Sequence, residues 1–163
     1  MDRMLTLILN TIVMVLGIIF EFRHISWSLS RRYGVLITLV DIPETLPFSL
    51  ALPCLFGGWV IVDKKWYEAH RQNGRVIKFT MLHEKGHCRS WAAIPGFVAS
   101  HRAKRDNFGH GRKTADYEYA ADLYAAEHGA KKGGIEFLKE YYKGGRDKDC
   151  VRRIRALKRW RKT

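Results

Sequence analysis

Cysteine is scarce in this 163-residue chain: Cys54, Cys88 and Cys150 are an odd number with no Cys-x-x-Cys spacing. That argues against a disulfide framework and against an all-cysteine structural zinc site, and it fits a reducing compartment. Acidic residues are also few, 16 against 29 Lys and Arg, for a net charge of +13. No internal repeat is visible, and the length is that of one domain with a real core. The apolar start lacks the marks of a cleaved signal: only Arg3 stands before it, against Asp2, and no small-x-small site follows.

What is present is unevenly distributed. From Lys143 to Thr163 there are ten Lys and Arg against two Asp, a net of +8. Such a tail suits an anionic surface, either lipid headgroups or nucleic acid, or simple solubility. Met4 to Phe20 is almost uniformly apolar and uncharged, at the short end for a membrane-spanning helix. A buried core helix is the alternative. Arg23, Arg31 and Arg32 after it outnumber Arg3 before it, so a retained anchor would leave the body of the protein in the cytoplasm.

The next elements read as a small sheet. Tyr33 to Val40 is β-branched and predicts a strand; Leu50–Leu55 and Trp59–Val62 predict two more around Gly57-Gly58. Asp63 is placed to cap a helix from Lys64 to about Gln72. An edge strand beside a catalytic helix can hold an extended peptide by main-chain hydrogen bonds.

The chemistry centres on His83-Glu84-x-x-His87, in a helix expected from about Arg75 to Ala93. Residues four apart share a helix face, so both imidazoles can meet one metal ion, with the Glu84 carboxylate beside them as a base. Gly96 to Lys113 reads as a polar surface loop or lid. A second helix, Lys113 to His128, is closed by Gly129. It carries Glu118 and Asp122 on one face, with Ala121 and Ala125 small enough for close helix packing. Glu118 can complete a His-His-Glu site, and Asp122 can accept from the free ring N–H of a ligand histidine. Gly133-Gly134 is expected to open a short helix, Ile135 to Lys143. Asp147 to Trp160 then forms a basic amphipathic helix with Val151, Ile154, Leu157 and Trp160 on its apolar side. That side can rest on a membrane or on the domain.

The two motifs in order, His83-Glu84-x-x-His87 and Glu118-x-x-Ala121-Asp122, resemble those of the gluzincin metallopeptidases. The likeness is strongest to membrane-bound zinc endopeptidases of the CAAX prenyl protease and heat-shock membrane protease type, and covers about Phe48 to Gly129. It implies an α+β, mainly helical zincin-like core with a small β-sheet and an N-terminal hydrophobic helix. It also implies Zn2+ bound by His83, His87 and Glu118, Glu84 as general base, Asp122 supporting a ligand, and a polypeptide substrate. The chain is much shorter than that family, with 30 residues between His87 and Glu118. The metzincin pattern fails, because Ser90 and Ala93 occupy the positions of its Gly and third His.

The organisation expected is a membrane anchor over 1–24, a metallopeptidase domain over 25–145 and a basic helix over 146–163. The protein would then be a single-pass membrane protein with its catalytic domain in the cytoplasm. Two alternatives differ in class: a DNA-associated SprT-like protease with His110 as third ligand, and a non-catalytic basic protein binding membrane or nucleic acid. His128, Tyr117, Tyr124 and Arg112 are candidates to stabilise an oxyanion.

Overall fold

Short runs of apolar and β-branched residues build the sheet, with successive side chains on opposite faces. The computed structural model describes residues 8–12, 15–17, 19, 22–52, 57–89, 112–141 and 148–161. In it β1 (Leu36–Val40), β2 (Ser49–Leu52) and β3 (Trp59–Asp63) lie in the order β1-β3-β2. β1 is parallel to β3 and β2 antiparallel to it, with Ser49 opposite Val62 and Ala51 opposite Val60. Ile37, Ala51, Val60 and Val62 enter the main core, while Leu36, Leu52, Trp59 and Ile61 form a smaller cluster. The first strand is shorter than Tyr33–Val40. Trp27–Tyr33 is a helix, α1, which ends at Gly34 with a left-handed φ of 65°, so pairing starts at Leu36.

Asp63 caps α2 (Lys64–His70) as its position predicts, accepting from the Trp66 amide at 3.0 Å. The chain then enters α3 (Gly74–Arg89), the centre of the fold. Val76, Phe79, Met81, Leu82 and Cys88 are all buried, so this helix is covered on most sides. It packs on β2 and β3 and on α4 (Arg112–Ala125) and α5 (Lys131–Tyr141). Its expected extension to Ala93 and the stretch 96–111, with His110, lie outside the described residues.

At the end of α4 the backbone leaves helical geometry at His128 and Gly129, where φ of Gly129 is 79°, and returns at once to helix. α5 therefore starts at Lys131, not Ile135, and Gly133-Gly134 lies inside it. The pair is there for contact. A Cβ on Gly133 would strike the Arg75 carbonyl, and one on Gly134 the Phe79 ring, so only glycine lets α5 lie this close to α3.

α6 (Lys148–Arg159) packs on the domain: Cys150 and Leu157 are buried with Leu138 and Ala126. Its buried stripe is Cys150, Arg153 and Leu157, rotated from the expected one, with Ile154 and Trp160 at its margin. Residues 8–12 and 15–17 are helical. Among the described residues no helix is long and apolar enough to cross a membrane. Residues 4–7, 13, 14, 18 and 20 of the expected anchor lie outside them. The architecture is α+β, mostly helical with one small three-stranded sheet.

Candidate metal centre

One helical turn of α3 brings the two histidines together, with their Nε2 atoms 3.1 Å apart. Glu118 reaches in from α4, its Oε2 3.4 Å from His83 Nε2 and its Oε1 3.3 Å from His87 Nε2. Donor atoms of a tetrahedral ion bound at about 2.0–2.1 Å lie about 3.3–3.4 Å apart. The two Glu118 distances use both of its oxygens, one toward each imidazole; one donor atom from each side chain lies within 4.8 Å of the others, close enough to meet at a single ion.

The approach of α4 depends on Gly86, one residue before His87. A Cβ there would lie 3.0 Å from the Ala121 Cα and 3.2 Å from the Tyr124 Cβ. With Ala121 and Ala125 fully buried at the contact, the helices come near enough for Glu118 to bridge the histidines.

Behind the donors stands a second pair of charges. His83 Nδ1 is 2.9 Å from Asp122 Oδ1. An ionised carboxylate can only accept, so Nδ1 carries the proton and Nε2 faces His87 and Glu118. Arg153, from α6, grips Asp122 with two hydrogen bonds: Nε donates to Oδ2 at 2.7 Å and Nη2 to Oδ1 at 2.8 Å. Its Nη1 also lies 3.0 Å from Glu118 Oε2. Arg153 is 5% and Asp122 2% exposed, so the pair is shielded from water.

The electrostatics favour a cation. Burial alone would lower the pKa of His83, but hydrogen bonds to Asp122 and Glu118 outweigh it and hold the imidazole up to about 10. Burial would raise Glu118, yet His83, His87 and Arg153 hold it well below the usual carboxylate range. Asp122 is lowered likewise, its burial outweighed by Arg153 and His83. Glu118 and Asp122, both held ionised, set two negative charges against the one of Arg153, and a metal ion would take the place of the His83 proton.

Glu84 is itself buried, and Ser49 Oγ of β2 donates to its Oε1 at 2.7 Å. Ser49 reaches it because it shares the sheet face of Ala51, Val60 and Val62, the face in the main core with α3. Among the described residues β2 ends the sheet, with no strand beyond it.

His83, His87, Glu118 and Asp122 therefore converge, while Glu84, next to His83 in α3, is held by Ser49 of β2. Of the oxyanion candidates, Tyr124 and His128 pair with each other. The Tyr124 ring lies tilted against His128, centroids 4.2 Å apart, and carries the Arg89 guanidinium at 5.6 Å, and His128 Nδ1 lies 2.8 Å from the Tyr124 carbonyl. Tyr117 is half-buried on α4, and the Arg112 side chain lies outside what the structure describes.

Arg153 and Ser49 are the two residues that motif spacing misses. Reading α6 from Cys150 at steps of three and four reaches Arg153 and then Leu157, a cation on the buried stripe. Nothing local marks Ser49. No family model, no curated protein and no solved structure matches the chain.

Proposed function

We propose that this protein is a zinc-dependent endopeptidase of the gluzincin type. One observation carries the reading: His83, His87 and Glu118 bring one donor atom each within 4.8 Å of the others, with Glu84 buried and next to His83 in α3. A zinc ion held by those three residues would supply a Lewis acid that polarises the scissile carbonyl and acidifies a water.

The chain's own groups do the rest. Asp122 fixes the His83 ring through Nδ1, and Arg153 fixes Asp122. Glu84 takes the proton of the attacking water and returns it to the leaving amine. Ser49 ties down one Glu84 oxygen and leaves the other for that proton. β2, carrying Ser49, offers main-chain groups along its outer edge to an extended polypeptide. The same reading takes residues 4–20 as a membrane attachment, with the body of the protein on the cytoplasmic side.

The test is zinc per chain in the parent, Glu118→Ala and His110→Ala, followed by peptide cleavage by Glu84→Gln. The expected result is near-stoichiometric zinc, lost with Glu118→Ala only, and a Glu84→Gln protein that keeps zinc but cleaves nothing. Zinc lost with His110→Ala instead would replace the third ligand and favour a SprT-like protease. A parent without zinc would end the peptidase reading.

A further inference from the structure

The N-terminal helical residues divide sharply in their surroundings. Ile8, Leu9, Ile12, Val15, Leu16 and Ile19 are each between 43% and 67% exposed. At 100° per residue Ile8, Leu9 and Ile12 fall within an arc of about 100°, as do Val15 and Leu16 in the next helical residues. The opposite side is occupied. A Cβ on Gly17 would strike the Trp59 indole, so this turn lies directly on β3. Asn10 is buried as well, 7% exposed. Trp59 belongs to the sheet cluster of Leu36, Leu52 and Ile61.

That placement bears on how the segment could meet a bilayer. A spanning helix is surrounded by hydrocarbon or by other spans. Here one side is covered by a sheet whose domain carries charged surface. A helix over all of residues 4–20 would also be about 25 Å long, short of the roughly 30 Å hydrocarbon core. An aliphatic stripe of this width, with the other side on protein, suits a helix lying flat at the interface.

The residues that follow suit the headgroup layer. Trp27 is 56% exposed, and Arg23, Arg31 and Arg32 are all exposed on and just before α1. Indole at the boundary and guanidinium among anionic headgroups are the usual companions of such a helix.

We propose that this face is a monotopic membrane-docking surface: the stripe from Ile8 to Ile19 enters one leaflet in plane, and Arg23, Arg31 and Arg32 engage anionic lipid headgroups. The inference rests on the membrane attachment in the reading above and is independent of the metal.

Two measurements test it on the full chain. Flotation compares vesicles of phosphatidylcholine alone with vesicles that also contain phosphatidylserine. Three arginines predict binding about a hundredfold tighter to the anionic vesicles. Ile12→Glu with Leu16→Glu should abolish flotation and leave bound zinc unchanged. Equal binding to both vesicles, or flotation that survives the double substitution, would overturn the proposal. So would a stable dimer of the parent in solution that hides the stripe.

Orientation is read separately in inverted membrane vesicles from expressing cells, with single cysteines at Asp2→Cys or Ser28→Cys in a Cys54→Ser background. An impermeant maleimide should label both sites from the cytoplasmic face. Labelling of only one would show a span, overturning in-plane docking while the attachment stands. Absence from both vesicles and membranes would overturn the attachment itself.

Discussion

Arg153 holds Asp122 by both carboxylate oxygens, at 2.7 and 2.8 Å, and Asp122 holds the ring of His83 at 2.9 Å. The last helix of the chain is thereby wired to the first histidine of the motif, 70 residues upstream. α6 is a wall of the candidate site as well as a basic surface.

Arg153→Ala leaves Asp122 charged, buried and without its main partner. Breaking a buried pair in this way costs about 3–5 kcal/mol. Loss of support behind a ligand histidine lowers metal affinity about 10- to 100-fold. Arg153→Lys keeps the charge but not the two-pronged grip, and should fall between. Urea unfolding of the metal-free protein and zinc titration check both. A wild-type zinc affinity in Arg153→Ala would rule out a positioning role.

Metal uptake should expel protons. With a pKa of about 10, His83 is protonated in the metal-free protein at neutral pH, and zinc must displace that proton. Zinc affinity should then rise about tenfold per pH unit from pH 7 to 9. The sign is opposite for metal-free stability. The folded pKa lies above the ordinary histidine value of 6.5, so this contribution is complete below pH 6.5 and fades as pH climbs toward 10. Calorimetry in buffers of different ionisation enthalpy counts the released protons. Zero protons at pH 7 would contradict the charge state assigned to His83.

Gly86→Val should weaken the site without touching a ligand. Its side chain would push into Ala121 and Tyr124, where even a Cβ is crowded. Overpacking costs about 1–3 kcal/mol. Spreading α3 from α4 also withdraws Glu118 from the histidines, so zinc affinity should drop together with the melting temperature. A variant that loses stability but binds zinc normally would show that the helix spacing does not control the triad.

Ser49→Ala removes the hydroxyl that donates to Glu84. Turnover of a peptide substrate should fall about tenfold, the scale seen for groups that orient a functional side chain. Zinc content should not change, and Ser49→Thr should restore most of the rate. Zinc loss on Ser49→Ala would mean that the serine supports the metal instead.

The local part of this protein was legible in its residues because it obeys short periods. His83 and His87 stand one turn apart on a helix, as do Glu118 and Asp122, so each pair could be placed on one face before any fold was known. Asp63 as a cap and the short apolar strand Trp59–Asp63 after the Gly57-Gly58 turn follow from equally local rules. The glycine pair at 133–134 misled for the same reason. Local propensity reads it as a break, whereas the crowding of Arg75 and Phe79, more than fifty residues away in sequence, makes it a contact. Only the tertiary structure decided that Glu118 bridges both imidazoles, since that depends on how closely Gly86 lets two helices pack. Only it singled out Arg153 among 29 basic residues and set Ser49 against Glu84. Composition shows how many charges a chain carries; which one is buried against a carboxylate is settled by the rotation of a helix and the register of a strand.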